Sequence, residues 1–251
     1  MLMAMVPPAA IRNKWGVIIP STNIMVEHDL AMLCPSGVTF HAGRAYISKP
    51  SMASDADAEA LLDQMDASFD VALRDVLTLT PDRIVIAMSA EVMRRGVRGG
   101  AEFVDAVAQK AGLPVTTGPA AVIAALQRIG ATRIAVLTPY QPESDRLTSQ
   151  YMRECGFDVV HVEGLRRTSA TDIAETTPGQ VIAGLRALAA HRPDALVVVG
   201  TNLSAVKLAA EAEHWLGLPT VAMNAATVWH ALRESGITDR RADAGFLLRD
   251  F

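Results

Sequence analysis

Cysteine is scarce in this sequence, which contains only Cys34 and Cys155 among its 251 residues. The two lie far apart and lack the CxxC or Cys/His spacing of metal and redox sites. Histidines within the predicted strands and helices show no metal-ligand spacing either. We therefore predict that both cysteines are structural and that the protein has no metal site.

The sequence also lacks an excess of basic charge. Its net charge is −4, and the basic residues are scattered apart from short pairs such as Arg94-Arg95 and Arg166-Arg167. This pattern argues against nucleic acid or an anionic membrane as a partner. The start, MLMAMVPPAAIRNKWG, has a short apolar stretch, no basic region before it and two prolines, unlike a signal peptide or a membrane span. We therefore expect a cytoplasmic protein.

Half of the residues are apolar, enough for the core of one large α/β domain or two smaller ones. The clearest strand lies within residues 195–203 (ALVVVGTNL), where five apolar residues precede a polar turn. Such a short, β-branched run is typical of a parallel strand buried on both faces. Ligands bind beyond the carboxyl ends of these strands, so the Gly-Thr-Asn turn is predicted to bind a small anion. Spacing alone fits Asn202 equally well as the cap of the next helix.

The two halves of the chain show the same order of predicted elements. The first half has predicted strands at residues 15–20, 38–47, 83–89 and 113–117, helices at 25–33, 54–77 and 101–111, and a glycine-rich loop at 96–100. The second half has predicted strands at residues 133–138, 157–162, 195–199 and 218–224, with helices after residue 140, at 178–190 and up to residue 216. This repetition indicates an internal duplication of topology.

We predict an α/β fold of two pseudo-symmetric, Rossmann-like parallel-sheet halves with the active site in the cleft between them. The first half comprises residues 1–118 and the second residues 119–224, while a C-terminal helical region at about 225–251 packs back on the first. Polar turns with little charge would line the cleft, at residues 21–23, 89–91, 116–117, 138–140, 200–202 and 224. They suit a small carboxylate held by amides and hydroxyls.

Five segments of the chain resemble the aspartate/glutamate racemase superfamily, most closely its maleate cis-trans isomerase and arylmalonate decarboxylase branch. They are GVIIPSTNIMVE, RIVIAMSAEVMRRG, LPVTTGPAAVIAAL, RIAVLTPYQPE and GTNLSAVKLAAEAEHWLGLPTVAMNAATVWHALR. Together they cover nearly the whole chain in the order that the family shows. The last segment is the most specific, because it combines a Thr-Asn-Leu turn, a Leu-Pro strand and an Asn before an Ala-Thr-x-Trp helix.

The resemblance implies a cofactor-independent protein that binds a small dicarboxylate and forms a homo-oligomer, either a dimer or a tetramer. It also implies which side chains bind carboxylates and stabilise an enediolate-like intermediate, namely Asn23, Thr117, Tyr140, Thr201, Asn202 and Asn224. The backbone N–H groups from Gly200 to Asn202 would contribute to the same site. Tyr140 would donate a hydrogen bond or a proton, and the alternative is an amphipathic residue with its hydroxyl at the surface.

The sequence departs from this family at two positions that matter for the chemistry. The racemases use one cysteine in each half, the isomerases keep both, and the arylmalonate decarboxylases keep only the second. The matching positions here are Ser89 and Gly200. Neither Cys34 nor Cys155 can substitute, since one ends the first helix and the other precedes a strand. Thiol-based racemisation or isomerisation is therefore not expected.

Ser89 and Glu91 are the other candidates for catalysis. A serine needs a base, and Glu91, two residues further on, is the acid beside it in the sequence. The pair would position a water molecule or relay a proton. Glu91 is equally compatible with a cap of the following segment.

Two hypotheses for function follow from the residues and the resemblance. The first is an enzyme that acts on a small carboxylate or dicarboxylate through an enolate-like or oxyanion intermediate, as a decarboxylase, lyase or hydrolase. The second is a binding protein that kept the carboxylate site and lost catalysis with its thiols. Rossmann-type nucleotide binding is disfavoured because no strand is followed by a GxGxxG turn.

Overall fold

A computed structural model describes residues 9–251, which form two lobes of similar topology. The sheet of the first lobe consists of β1 (Asn13–Pro20), β2 (Val38–Ala45), β3 (Arg83–Ile86) and β4 (Val115–Thr117). Its helices are α1 (Met25–Leu33), α2 (Asp55–Leu77), α3 (Ala90–Met93) and α4 (Gly96–Ala111). The four strands are parallel and follow the order β2-β1-β3-β4.

The second lobe repeats this arrangement. Its sheet consists of β5 (Arg133–Thr138), β6 (Asp158–Gly164), β7 (Ala195–Val198) and β8 (Thr220–Ala222), all parallel and in the order β6-β5-β7-β8. The remaining helices are α5 (Gly118–Arg128), α6 (Pro142–Glu154), α7 (Pro178–Ala189), α8 (Val206–Leu216), α9 (Met223–Glu234) and α10 (Gly245–Asp250), with a short 3₁₀ helix at Asp172–Glu175. The identical strand order in the two sheets confirms the predicted fold class.

Local sequence signals explain where several of these elements begin. The central strands β3 and β7 are buried along their whole length, because helices cover both faces of each sheet. Helix α2 begins after Ser54, whose hydroxyl accepts a hydrogen bond from the backbone N–H of Asp57. Helix α7 begins with a capping box in which the side chains of Thr177 and Gln180 each bind the other's backbone N–H.

The predicted glycine-rich loop at residues 96–100 is wrong, since these residues form the first turns of α4. Gly100 packs there against α3, where an added Cβ would lie 3.4 Å from both Val92 Cγ1 and the Val92 carbonyl oxygen. Close packing thus overrides the low helix propensity of glycine. Strand β3 is also shorter than predicted and ends at Ile86, so Ser89 lies in the turn beyond it.

Helix α9 packs against α1 of the first lobe and against α5, and α10 then packs against α8 and α9. The boundaries proposed for the two halves stay a prediction, as do the cytoplasmic location and the homo-oligomer. The prediction that the chain starts without a signal peptide or membrane span extends over residues 1–8, which lie outside the described residues. Within residues 9–251, no helix is both long enough and apolar enough to span a membrane. The same residues contain no group of three or more metal-binding side chains.

Candidate active site

A cavity of about 70 Å³ lies between the carboxyl ends of the two sheets. Residues from four turns line it, namely Thr22 and Asn23 after β1, Ser89 after β3, Tyr140 after β5, and Gly200, Thr201 and Asn202 after β7. Six of the nine predicted site residues are therefore brought together at this cavity. The other three, Glu91, Thr117 and Asn224, are buried but do not line it.

Ser89 and Tyr140 meet across the cavity, one from each lobe. Their hydroxyl oxygens lie 2.8 Å apart, within hydrogen-bonding distance, and both residues are buried. Burial raises the pKa of Tyr140 to about 12, although the hydrogen bond to Ser89 acts in the opposite direction. Tyr140 is thus neutral at physiological pH, and a neutral phenol can donate or accept a hydrogen bond. This excludes the alternative in which its hydroxyl lies at the surface.

Asn23 and Asn202 connect the two lobes at the floor of the cavity. The side-chain oxygen of Asn23 accepts hydrogen bonds from the N–H groups of Met25 and Val26, and its amide nitrogen lies 3.2 Å from the Thr201 hydroxyl. The side-chain oxygen of Asn202 accepts a hydrogen bond from the Ile24 N–H at 3.0 Å. Asn23 therefore caps the start of α1 from within the first lobe, and Asn202 does so from the second.

The amide nitrogen of Asn202 also has protein partners. It donates to the carbonyl oxygen of Ala170 at 2.9 Å and lies 3.5 Å from that of Thr22. Both ends of the amide are thus engaged, although the residue borders the cavity. Its binding of a carboxylate stays a prediction, and the geometry favours a positioning role.

The backbone of the turn after β7 offers donors that the side chain of Asn202 does not. Within residues 9–251, no acceptor bonds to the N–H groups of Gly200, Thr201 or Asn202, nor to that of Ser89 in the opposite lobe. Unpaired N–H groups of residues that line a cavity are suited to an oxyanion or a carboxylate. The sequence predicted a small anion at the N–H groups from Gly200 to Asn202, and it gave no such prediction for that of Ser89.

Asn224 supports this turn from behind. Its amide nitrogen donates to the carbonyl oxygen of Thr201 at 2.9 Å and to the carboxylate of Asp29 at 2.7 Å. Burial raises the pKa of Asp29 to about 6, although the hydrogen bond from Asn224 lowers it. Sequence reasoning missed Asp29, because a carboxylate on α1 has no motif that distinguishes it from a surface charge.

Glu91 faces away from the cavity. One oxygen of its carboxylate accepts hydrogen bonds from Arg95, with the shorter at 2.9 Å, and the other has no partner among the described residues. Burial and the neighbouring carboxylate of Asp66 raise its pKa to about 7. Thr117 also has a local partner, since its hydroxyl caps α5 by accepting from the Ala120 N–H. Catalytic or binding roles for Glu91 and Thr117 stay predictions that these contacts do not support directly.

Gly200 adopts a conformation that favours glycine, with a φ of +105°. A Cβ built at this position would lie 2.8 Å from Cγ and 2.9 Å from Cδ of Pro139. A side chain at residue 200 would therefore require Pro139 or the turn to move. Neither Cys34 nor Cys155 lines the cavity, and burial raises the pKa of both thiols.

Apolar side chains form the opposite wall of the cavity. Leu61, Leu62 and Met65 of α2 lie there, together with Ile47, Met52, Met88 and Ile173. The described residues that line the cavity include no Asp, Glu, Lys or Arg. The sequence predicts the helix at residues 54–77 that carries three of these side chains, but helical periodicity cannot distinguish a side chain that lines a cavity from one that fills the core.

Two loops from different lobes meet beside this wall. Ser51 and Ser169 form an isolated antiparallel bridge. On either side of it, the Met52 N–H donates to the Thr168 carbonyl and the Ala170 N–H to the Pro50 carbonyl, both at 2.7 Å. Met52 and Ala170 also line the cavity, so both loops contribute to its wall.

The fold and the cavity define a class of two-lobed α/β proteins with a site for a small ligand between the lobes. The family model for arylmalonate decarboxylase matches residues 16–248, and the chain belongs to this family.

The chain is also similar to individual proteins and solved structures. The maleate isomerase of Pseudomonas putida is 26% identical over 242 residues, covering 93% of this chain and 96% of the relative. A cysteine-to-serine mutant of the Nocardia farcinica maleate cis-trans isomerase, described with a covalently bound succinylcysteine intermediate, superposes with a TM-score of 0.87 at 24% identity, covering 95% and 99% of the two chains. A crystal structure of arylmalonate decarboxylase gives a TM-score of 0.77 at 20% identity, covering 94% and 98%.

Proposed function

We propose that the protein is a thiol-independent enzyme that decarboxylates a small dicarboxylate with an apolar substituent, using Tyr140 as the proton donor. The observation that carries this proposal is the buried contact between the hydroxyls of Tyr140 and Ser89, 2.8 Å apart at the cavity. It places two exchangeable protons beside unpaired backbone N–H groups, as a reaction through a carbanion-like intermediate requires.

One carboxylate of the substrate would bind to the N–H groups of Thr201 and Asn202. These groups have no acceptor within residues 9–251, and Asn224 fixes the peptide between them through its bond to the Thr201 carbonyl. A carboxylate bound in this way gains negative charge when it becomes an enediolate. Preorganised donors stabilise the more highly charged state more strongly, and that difference lowers the barrier.

The second carboxylate would lie against the apolar wall formed by Leu61, Leu62 and Met65. A charged group is poorly solvated there, and its loss as neutral CO₂ removes the unfavourable charge. The C–C bond to this carboxylate breaks, its electron pair moves into the enediolate, and the α-carbon then takes the proton of the Tyr140 hydroxyl. Ser89 or water returns a proton to the phenolate. The wall also favours a substrate with an apolar substituent.

The positions that carry the family's cysteines support a reaction without thiols. Ser89 has a hydroxyl rather than a thiol, and Gly200 has no side chain, with Pro139 close to where one would begin. Covalent addition of a cysteine to the substrate and proton transfer between two thiols are therefore not part of the proposal.

A panel of small carboxylates tests this function. Methylmalonate, phenylmalonate, maleate, hydantoins and lactones would be incubated with the purified protein, with CO₂ release and product formation followed by NMR. The proposal predicts CO₂ release from the substituted malonates. Maleate isomerisation, or hydrolysis without CO₂ release, would contradict it.

A carboxylate-binding protein without activity is the second candidate, favoured by the loss of both family cysteines. It predicts that a malonate raises the melting temperature and is not consumed. The proposed enzyme binds the malonate and also consumes it, so thermal stabilisation and turnover measured on one sample separate the two candidates.

A further inference from the structure

We infer that Arg166 is a positioning residue for Tyr140, acting through a closed ring of hydrogen bonds with Thr138 and Asp145. This inference rests on the proposed role of Tyr140 as the proton donor. Arg166 itself is absent from the lining of the cavity, so any effect on the reaction would pass through the tyrosine.

The ring holds both sides of the Tyr140 backbone. The Tyr140 N–H donates to the Thr138 hydroxyl at 3.2 Å, and that hydroxyl donates to one oxygen of the Asp145 carboxylate. Nη1 of Arg166 donates to the other carboxylate oxygen and also to the Tyr140 carbonyl oxygen, the latter at 2.6 Å. The N–H and the carbonyl of Tyr140 are thus tied to a single buried carboxylate.

Backbone hydrogen bonds hold the same two segments together. The Leu165 N–H donates to the Thr138 carbonyl at 2.8 Å, and the Arg167 N–H donates to the Pro139 carbonyl at 2.9 Å. These two bonds position Arg166 beside Tyr140. The ring therefore links the turn after β5 to the segment after β6, both in the second lobe.

The chain adopts an unfavourable backbone conformation to build this ring. Arg166 has a φ of +55°, in the left-handed region. Two other non-glycine residues share such an angle within residues 9–251, Thr80 and Arg192, and both lie just after a helix end, where it is common. Arg166 follows a strand instead. Strain at such a position is typical of a functional constraint.

Gly164 also fits the ring. A Cβ at this position would overlap the side chains of Arg166 and Asp145. The absence of a side chain at residue 164 leaves the space in which the guanidinium meets the carboxylate. The two arginines of the basic pair Arg166-Arg167 have different partners. Arg166 contacts Asp145, whereas Arg167 forms an ion pair with Asp172.

A double-mutant cycle with the preferred malonate tests the inference. Arg166→Met is expected to lower kcat about tenfold to a hundredfold, since small displacements of a catalytic group have effects of this size. KM should change less than threefold. Arg166→Lys, which keeps several N–H donors on one nitrogen, should recover part of the loss. Arg146→Met, which removes an exposed arginine paired with Glu143 on α6, is the control and should leave kcat unchanged.

The cycle is completed in the Tyr140→Phe background. If Arg166 acts through the tyrosine hydroxyl, adding Arg166→Met to Tyr140→Phe lowers kcat by less than threefold further. An equal loss in both backgrounds, or a loss confined to KM, would overturn the inference.

A measurement on the unliganded protein is independent of the proposed reaction. The sequence contains three tyrosines, so ¹⁵N-tyrosine labelling gives three amide signals that single substitutions assign. Arg166→Met should speed hydrogen exchange at the Tyr140 amide at least tenfold and leave that of Tyr151 on α6 unchanged. Asp145→Asn combined with Arg166→Met should do the same without leaving an unpaired buried carboxylate. Unchanged exchange at Tyr140 in both variants would contradict the ring, whether or not any malonate is consumed.

Discussion

The carboxylate of Asp29 in the first lobe lies 2.7 Å from the amide nitrogen of Asn224, which also donates to the Thr201 carbonyl. A buried acid on α1 thereby supports the turn after β7 in the other lobe. Because no described basic side chain pairs with this acid, its charge is compensated mainly by the amide of Asn224.

Asp29 should make stability depend on pH in the direction opposite to that of an ordinary paired carboxylate. Its pKa is about 6 in the folded protein against 3.8 for an ordinary aspartate, so between these values the folded state binds more protons than the unfolded state. Its contribution to the free energy of unfolding is therefore fully present below about pH 4 and is lost as the pH rises to about 6.

Asp29→Asn tests this dependence, since the amide oxygen can still accept from Asn224. Relative to wild type, the variant should be more stable at pH 7 than at pH 4 by roughly 1–3 kcal/mol, measured by urea unfolding at both values. Asp75→Asn, at an exposed position on α2, is the control. An equal difference at both pH values would show that Asp29 does not titrate in this range.

Asn202→Ala should destabilise the protein. The change removes the partners of the Ile24 N–H and the Ala170 carbonyl, which should lower the free energy of unfolding by about 2 kcal/mol and the melting temperature by roughly 4–8 °C. Ser204→Ala, at an exposed neighbouring position, should leave the melting temperature unchanged. An unchanged melting temperature with a tenfold loss of malonate affinity would instead identify the Asn202 amide as a substrate ligand.

Gly200→Ala should destabilise the protein more than an alanine substitution at another glycine with positive φ. At Gly217, φ is +67° and nothing lies within 4 Å of an added Cβ, so Gly217→Ala measures backbone strain alone, about 1 kcal/mol. Gly200→Ala adds the contact with Pro139 and should lower the free energy of unfolding by roughly 1–3 kcal/mol more in denaturant titrations. An equal loss of unfolding free energy in the two variants would show that Pro139 moves away from an added Cβ without measurable cost.

Met65→Ala should alter the choice of substrate. Shortening this side chain enlarges the apolar side of the cavity, so the ratio of kcat/KM for phenylmalonate to that for methylmalonate should rise about tenfold, as a few methylene-sized contacts allow. Leu73→Ala is the matched control, because Leu73 is buried on the same helix and does not line the cavity. A similar ratio of kcat/KM values in both variants would show that the apolar substituent does not bind against Met65.

The fold was predictable from the sequence because its strongest signals are local. Buried β-branched runs identified β3 and β7, and Ser54 marked the start of α2. The same signals placed the polar turns at one end of each sheet. The glycines at the start of α4 led to the wrong prediction of a loop. The close contact between Gly100 and Val92 is packing between two helices, which local sequence signals do not show.

The site was predictable as a set of turns, but the partners of each side chain were not. Asn23, Ser89 and Thr201 reach the cavity as the turn positions suggested. Whether an amide faces a ligand or another lobe depends on contacts between residues far apart in the chain, as for Asn202 and Ile24, which are separated by 178 positions. Glu91 is two residues from Ser89 in sequence, yet the start of α3 turns its side chain towards Arg95.

The central claim is that Tyr140 supplies the proton that ends decarboxylation. Its most direct test is kcat for CO₂ release by Tyr140→Phe with the preferred malonate, measured on protein whose melting temperature matches that of wild type. Loss of a proton donor predicts a fall in kcat of about 10²- to 10⁴-fold with KM changed less than threefold. A kcat within threefold of wild type would contradict the account.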